Sequence, residues 1–392
     1  MRLCKVAIAL CVAVALGSAA VATAAPAADI FENLFITSAG VLDVDPSSRS
    51  VGMGGASTAV FWGDGPNDWA NPALLGTAHG IRYVGTDFER YPDSFLDPKF
   101  RSQRLTFGGG GVGVALTGEP INGLGEQRLE FSTITFDDAY GGTESFQFKE
   151  IERSWGVGIS LAQGFGSLAR WRGHEAPAWT RRGDVAFGLN RKTVADYSAD
   201  PANPDRLTAY DWGALARAWA PLRHTLGSLP GRFELAYALA VVNANDAGPN
   251  YAPTARQHRN GAAMRMSVDD PETMSKRLPA WLAPGVSQLA SLGIAYDISH
   301  ITAGSRDSRG WSINSWGAEL SLGGLLFARV GGAHNSGTSS TNNTWGLGAV
   351  LPIGHWGAVH YDYARVDRPF GGPMAPQSWA VVVDPVAIAR GL

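Results

Sequence analysis

The stretch Trp345-Gly-Leu-Gly-Ala-Val-Leu351 decides the fold. Trp345, Leu347, Ala349 and Leu351 stand at every second position, with mostly glycine between them. A period of two places the two sets on opposite faces of a β-strand, because successive side chains of a strand point in opposite directions. The pattern predicts a strand with one apolar face and one face of small or polar residues.

The same alternation recurs along most of the chain. It is clear in 112–117, 155–161 and 316–322, where Gly, Ser or Ala alternate with Trp, Val, Ile or Leu. Bacterial barrels have an even number of strands, so we predict 14 strands from a count of 14 to 16 segments. The predicted segments are 80–88, 102–108, 111–118, 127–137, 145–151, 153–163, 183–192, 207–218, 231–243, 287–299, 312–322, 325–333, 343–352, 355–365 and 377–384.

These strands predict an all-β protein, a transmembrane antiparallel β-barrel with an N-terminal hatch segment. In lipid every backbone group must be paired inside the protein, and a closed barrel is the sheet that achieves this. A secreted sandwich or propeller would show a similar alternation, with its polar face in water. The small faces carry more Gly, Ser and Ala than Lys or Glu, which favours the membrane. Five tryptophans near strand ends suggest an aromatic girdle: Trp155, Trp316, Trp345, Trp356 and Trp379.

Two stretches are too long for simple turns, namely 164–182 and 245–285. Barrels of this kind carry their long loops on the outside of the cell, so we expect both stretches there. In the first, Trp171 and Trp179 alternate with four arginines that would suit an interfacial cluster or anionic lipid headgroups.

The N-terminus has the pattern of an export signal. Arg2 and Lys5 precede the apolar run 6–16, and Ala22-Thr-Ala24 fits a cleavage site, so Ala25 is the predicted mature N-terminus. A retained N-terminal anchor is the alternative. Both cysteines, Cys4 and Cys11, lie in this segment, so the predicted mature chain has no disulfide or thiolate metal site.

Composition argues against several classes of function. The formal net charge of -3 gives no basic excess for binding nucleic acid. The eight histidines show no clustered spacing for a metal, and no cofactor motif is present. His360 and Asp362 should share the lumen side of one strand, without a matching serine for a catalytic triad. We expect no enzyme activity, no metal and no cofactor.

Residues 29–78 do not alternate as strands do. They contain Gly52-Met53-Gly54-Gly55-Ala56, then Thr58-Ala59-Val60, and later Asn71-Pro72-Ala73. Small residues let a backbone pack closely against its neighbours, and Pro suits the first position of a helix. The segment suits a plug within a barrel lumen, and a periplasmic lead-in is the alternative.

Those motifs resemble the N-terminal signature of the FadL-like outer-membrane transporters and their PorV/PorQ relatives. The C-terminal Tyr361-Asp-Tyr-Ala364, Phe370-Gly-Gly372 and Gln377-Ser-Trp379 resemble the end of that family's barrel. The resemblance is specific at both ends and only patterned in between. It implies a 14-stranded barrel with the Asn71-Pro72-Ala73 segment in a hatch inside the lumen.

The resulting division of the chain is 1–24 signal peptide, 25–78 periplasmic or hatch segment, 79–385 outer-membrane barrel and 386–392 periplasmic tail. The predicted hatch residues are Gly52, Met53, Gly54, Gly55, Ala56, Asn71, Pro72 and Ala73.

The predicted function is transport of hydrophobic small molecules such as long-chain fatty acids across the outer membrane. The alternative is a PorV-type protein-interaction barrel of the type IX secretion system. The expected partners are outer-membrane lipid with a hydrophobic ligand or secretion-system proteins, and no nucleic acid. Bulky residues in place of Gly54-Gly55 should reduce uptake and leave the barrel intact.

Overall fold

The computed structural model describes residues 40–63, 67–89, 98–117, 127–131, 133–137, 143–197, 202–226, 229–244, 254–269, 288–303, 310–354, 356–367 and 373–391. The predicted signal peptide lies outside them. The helices are α1 (Ser48–Gly52), α2 (Leu161–Trp171) and α3 (Pro385–Gly391), with 3-10 helices at Gly40–Asp43, Pro72–Thr77 and Ala178–Arg181. Among the described helices none is long and apolar enough to cross a membrane.

Seventeen strands are found within the described residues. They are β1 (Gly80–Glu89), β2 (Lys99–Gly109), β3 (Val112–Thr117), β4 (Gln127–Glu130), β5 (Ile134–Asp137), β6 (Thr143–Phe146), β7 (Lys149–Ser160), β8 (Gly183–Asp196), β9 (Asp205–Leu226), β10 (Leu229–Ala244), β11 (Ala255–Val268), β12 (Ala290–Ala303), β13 (Trp311–Leu322), β14 (Leu326–Asn335), β15 (Ser340–Ile353), β16 (Gly357–Asp367) and β17 (Gln377–Val383).

The strands close into an antiparallel barrel. From β7 to β17 each strand pairs with the next one in the chain, and β1 pairs with both β2 and β17, which closes the sheet. Strands β3 and β4 both lie between β2 and β7 and together occupy one strand position in the wall of the barrel. We call each strand position a stave. Staves formed by β1, β2, β3 with β4, and β7 to β17 give 14 in all, which confirms the predicted barrel.

The strand prediction was wrong in two places, and correcting both changes the fifteen predicted segments into the fourteen strand positions of the barrel. Strands β5 and β6 pair only with each other in the described structure, so 127–137 and 145–151 are not two full barrel strands. The stretch 245–285, predicted as a loop, contains β11, which pairs with β10 and β12 over its whole length.

The two ends of the barrel differ. We call the end where β1 begins and β17 ends the terminal end, and the opposite one the distal end. The β2–β3, β13–β14 and β15–β16 turns lie at the terminal end, with glycines at positive φ such as Gly110, Gly323 and Gly354. The stretch 161–182 connects β7 to β8 at this same end. Short turns are typical of the periplasmic side, so the terminal end has the features of that side, whereas this stretch is predicted to lie outside the cell.

The outer face of the barrel is apolar. Trp155, Ile159, Trp345, Leu347 and Leu351 are between 38% and 54% exposed, on the face opposite the glycines with which they alternate. Further exposed apolar side chains cover the neighbouring staves: Phe107, Val112, Val114, Val185, Phe187, Leu189, Trp212, Leu235, Tyr237, Met264, Tyr296, Leu320, Tyr361 and Trp379. A sheet with this face in water would expose an apolar patch far larger than soluble monomers carry.

The interior holds two apolar clusters. One, which we call the distal apolar cluster, combines Val41 and Leu42 with inward side chains at the distal ends of the strands, such as Phe100. The other surrounds Met53 and Trp62 in the middle of the barrel. Both contain residues of the segment that precedes β1, so this segment lies inside the lumen.

Candidate functional site: a plug in the barrel lumen

The lumen is filled by residues 40–63 and 67–78, which we call the plug. Every one of the predicted hatch residues belongs to it. Met53, Ala56, Asn71, Pro72 and Ala73 are buried. Residues 52–56 lie against β13 to β15, whereas 71–73 lie against β8 and β9. The two motifs therefore contact separate sectors of the wall.

A hydrogen bond joins Asn71 of the second motif to Thr58, two residues after the first motif. The Asn71 amide donates to the Thr58 carbonyl at 3.1 Å and to the Ala214 carbonyl of β9 at 3.3 Å. The Asn71 side chain also accepts from the Ala73 N–H at 3.0 Å and caps the 3-10 helix that starts at Pro72. Asparagine is favoured at such a cap, because its side chain accepts from a backbone N–H that the helix leaves unpaired.

The second 3-10 helix of the plug lies along a row of glycines. Gly108, Gly113, Gly158, Gly188 and Gly213 are direct cross-strand neighbours on β2, β3, β7, β8 and β9. We call them the glycine row. All face the lumen, and together they leave a groove without side chains on the inner wall.

The plug backbone enters this groove. A Cβ at Gly188 would stand 2.2 Å from the Pro72 carbonyl carbon, and one at Gly213 would stand 1.9 Å from the Asn71 side-chain oxygen. At Gly113 it would meet the Leu75 carbonyl oxygen at 2.0 Å. Any other residue at these positions would displace the plug, so the glycines of the row are required by close approach rather than by strand conformation.

The first motif makes a similar contact on the other side. Gly54 has a φ of +67°, and a Cβ there would lie 2.5 Å from the Gly332 backbone of β14. Gly55 has a φ of +84°, but its nearest neighbour would be the Ser315 hydroxyl at 3.5 Å. Both positions favour glycine for conformation, and only Gly54 also needs it for contact with the wall.

An ion-pair network ties the plug to the wall. Arg49 of α1 donates to both carboxylate oxygens of Glu319 on β13, at 2.8 and 2.7 Å. Glu319 also accepts from Arg329 of β14 at 2.7 Å and from the Trp62 indole at 3.0 Å. Arg329 in turn donates to Asp362 of β16. The paired carboxylates and arginines are largely buried, so each charge depends on its partners.

A second carboxylate of the wall holds the plug backbone. Asp297 of β12 accepts from the Ser57 and Thr58 N–H groups, both at 2.8 Å. Inside the plug, Asp45 accepts from the Ser47 N–H at 2.8 Å and from the Ser50 hydroxyl. Burial raises the pKa of Asp45 above its ordinary value, and these hydrogen bonds oppose that rise.

Cations of the wall hold the later part of the plug. Asp68 pairs with Arg104 of β2, whose guanidinium lies 5.1 Å from the centre of the Trp69 ring. The Lys192 ammonium of β8 lies 4.5 Å from the same ring and 2.9 Å from Asp211 of β9. Cations within about 6 Å of an aromatic face are attracted to it. The Trp69 ring is thereby held by cations of two barrel strands, β2 and β8.

Sequence analysis found the glycine and asparagine motifs of the plug and missed its charged partners. Glu319 and Asp297 stand at inward positions of alternating strands, where small residues are the rule. A carboxylate at such a position is the signal that would have indicated a partner inside the lumen. As predicted, His360 and Asp362 face the same side of β16. Within the described residues no cluster of His, Cys, Asp or Glu could hold a metal.

The comparisons with known proteins give remote structural likenesses. The toluene transporter TbuX of Ralstonia pickettii is 12% identical, with 86% of this chain and 97% of that chain covered and a TM-score of 0.37. The monoaromatic hydrocarbon channel CymD is 11% identical, with 86% and 96% covered and a TM-score of 0.39. A FadL homologue of Pseudomonas aeruginosa is 8% identical, with 87% and 99% covered and a TM-score of 0.39. No family model matches the chain, and no curated protein matches it in sequence.

Proposed function

We propose that the protein is an outer-membrane transporter for hydrophobic small molecules such as long-chain fatty acids. The observation that carries the proposal is the distal apolar cluster, which gives the distal end of the lumen an apolar interior into which the plug packs. A channel for polar solutes requires a polar lining throughout. The proposal involves no covalent chemistry.

The properties of the barrel wall support the proposal that the protein lies in a membrane. Its backbone groups pair in a closed ladder, and its outer face is apolar on most staves. These are the two requirements that lipid places on a β-sheet. With short turns at the terminal end, that end would face the periplasm and the distal end would face the outside of the cell. A hydrophobic molecule from outside would then meet the distal apolar cluster first.

The distal apolar cluster has the chemistry of a hydrophobic binding site. Phe88 of β1 and Phe100 of β2 stack with their ring centres 5.0 Å apart, and Phe100 is fully buried. Leu129 and Val194 extend this apolar surface around the wall. Apolar side chains that exclude water hold an alkyl chain or an aromatic ring at roughly 25 cal/mol per Å² of buried surface.

The plug occupies the apolar site and would have to yield to a ligand. Val41 and Leu42 pack in the distal apolar cluster, and the Val41 N–H donates to Glu150 of β7 at 2.6 Å. A ligand that takes their place would break this contact. Asn71, Pro72 and Ala73 would shape the hatch, and Gly52, Gly54 and Gly55 would permit its close packing. When the plug shifts, the ligand would be released toward the terminal end.

Binding of a fluorescent fatty acid to the purified protein tests the proposal. Phe100→Ser should weaken binding about tenfold, because it removes a buried ring from the site. The matched control is Phe107→Ser on the same strand, because Phe107 is 39% exposed on the outer face. Equal affinities for the wild type and both variants would refute a ligand site in the distal apolar cluster.

A second experiment distinguishes transport from the PorV-type alternative, a protein-interaction barrel. Mass spectrometry of everything retained after mild extraction from the native membrane should find a stoichiometric fatty acid or another apolar molecule. Secreted proteins or secretion subunits with no such molecule would support the protein-interaction barrel instead. Nothing in the described structure favours that alternative over transport.

A further inference from the structure

Helix α2 at the terminal end divides into three faces. Ala162, Gly166 and Ala169 form a face of small residues, of which the first two are buried. Gln163, Ser167 and Arg170 form a polar face, at spacings of four and three. Phe165, Leu168 and Trp171 follow one another at spacings of three and form an apolar face. Residues three or four apart share a side of a helix.

The small and polar faces turn toward the axis of the barrel. Ala162, Gln163, Gly166, Ser167 and Arg170 line a cavity of about 500 Å³ at the mouth of the lumen, together with His79 and with Arg217 and Trp219 of β9. The helix start is fixed there, because Asp184 of β8 accepts from the Ser160 hydroxyl and from the Ala162 N–H at 2.9 Å. The apolar face is on the opposite side of the helix and therefore points away from the axis.

That apolar face is exposed in the protein alone. Phe165 is 50% exposed, Leu168 42% and Trp171 82%. Trp179 of the adjacent 3-10 helix is 49% exposed and meets Phe165 edge to face, with ring centres 5.8 Å apart. Four large apolar side chains on one outward surface are costly in water.

The apolar face continues the outer surface of the barrel. Val112, Ile159 and Phe187 are outward cross-strand neighbours on β3, β7 and β8, and each is more than 40% exposed. Ile159 stands two residues before α2 begins. The aromatic residues of α2 thus extend the apolar belt at its terminal edge, where interfacial aromatic girdles lie in barrels.

The stretch is also basic. Residues 161–182 contain four arginines, namely Arg170, Arg172, Arg181 and Arg182, against one acidic residue, Glu175. All of these side chains are exposed, and Arg181 pairs with Glu175 at 3.2 Å. Arg170 and Arg181 line the cavity at the mouth of the lumen. Arg172 and Arg182 do not, and beside the exposed tryptophans they complement the surface of a leaflet that contains anionic phospholipid.

We propose that α2 and the 3-10 helix Ala178–Arg181 form an interfacial anchor, which buries Phe165, Leu168, Trp171 and Trp179 among acyl chains and binds anionic phospholipid headgroups through Arg172 and Arg182. The proposal rests on the proposed function only for the place of the barrel in a membrane. It assigns the anchor to the leaflet at the terminal end. Arginine, with its planar group of donors, binds phosphate in a bidentate manner.

Spin labels on single cysteines test the burial of the apolar face. Cys4 and Cys11 are the only native cysteines and would be replaced by Ser. A label at Leu168→Cys reports the accessibility of the apolar face of α2, and one at Gln163→Cys reports that of its polar face. A label at Phe187→Cys reports the accessibility of the apolar belt of the barrel. The protein is placed in vesicles of phosphatidylcholine with phosphatidylglycerol, and collision rates are measured with oxygen and with a polar nickel chelate.

In those vesicles the labels at 168 and 187 should both collide preferentially with oxygen, whereas the label at 163 should collide preferentially with the chelate. A label at 168 that prefers the chelate while 187 prefers oxygen would overturn the anchor and leave the barrel in the membrane. If 168 and 187 both prefer the chelate, the membrane placement of the barrel fails as well. A label at 168 that is shielded only after a partner protein is added would also overturn the anchor.

The arginines have a separate test. Native mass spectrometry would count the phosphatidylglycerol molecules that stay bound after extraction from the same vesicles. Replacement of Arg172 and Arg182 by Gln should reduce that count severalfold and leave bound phosphatidylcholine unchanged. A matched variant that neutralises Arg170 and Arg181, which line the cavity on the axis side of α2, should not reduce it. Equal phosphatidylglycerol retention in both variants would refute the headgroup site.

Discussion

Substitution of Gly54 and Gly55 one at a time separates two reasons for glycine in the plug. Both residues have a positive φ, so alanine at either position costs about 1 to 2 kcal/mol in backbone conformation. Only at Gly54 would the added Cβ meet the wall, 2.5 Å from the backbone of Gly332 and 2.7 Å from the carbonyl of Trp316. Overpacking of this kind costs about 1 to 3 kcal/mol more.

The overpacking cost at Gly54 should destabilise the seated position of the plug and leave the stability of the barrel unchanged. We expect Gly54→Ala to raise the population of the unseated plug about 5- to 150-fold over Gly55→Ala. Hydrogen exchange at the Ser57 and Thr58 amides measures this population, because both amides donate to Asp297 when the plug is seated. Exchange at the amides of β15 is the internal standard for an intact barrel. Equal exchange at Ser57 and Thr58 in the two variants would refute the argument from contact.

Two further predictions concern the wall. Gly108→Ala should unseat the end of the 3-10 helix, because its Cβ would lie 2.3 Å from the Ala78 carbonyl oxygen. Gly109→Ala should be neutral, because no atom lies within 4 Å of the Cβ that it would add. Protease cleavage within the plug measures the difference between the two variants, and similar cleavage of both would contradict the prediction. Glu319→Gln should lower the stability of the seated plug by about 3 to 5 kcal/mol, because two buried arginines lose their counter-charge. Asp87→Asn, which breaks an exposed pair, should change it by less than about 1 kcal/mol, and denaturant titration of plug fluorescence compares the two.

The alternating strands could be predicted because lipid and lumen impose different demands on successive residues. Each residue of 345–351 faces the side that the period of two assigns to it, with Trp345, Leu347 and Leu351 outside and Gly346 inside. The positions of the closing strands β16 and β17 follow from the same rule. Where one face meets lipid and the other meets the plug, the pattern is unambiguous.

Strand β11 was missed because its distal half leaves the region where that contrast holds. The run Arg256-Gln-His-Arg-Asn260 is polar on both faces, and it pairs there with His300 and Ser299 of β12. A strand that extends beyond the apolar belt can carry polar residues on both faces and shows no alternation. Prolines before and after it made the whole stretch resemble a loop.

The contacts of the plug could be predicted only in part. Glycine and the Asn71-Pro72 cap are local signals and can be recognised within a few residues. The pair of Arg49 with Glu319 joins residues 270 positions apart, and nothing in either neighbourhood specifies the other. Such pairs become visible only when the order of the strands around the barrel is known.

The glycine row also bears on the order in which the molecule folds. Five neighbouring strands contribute no side chain to the interior at one level. At that level the wall has no side chains of its own to fill the interior, and a barrel that closed first would enclose a water-filled hollow there. The β1–β17 seam, with seven paired residues, is the final stave contact in chain order. A nascent chain that keeps this seam open until residues 71–78 have settled against the row completes its interior and its wall in one step.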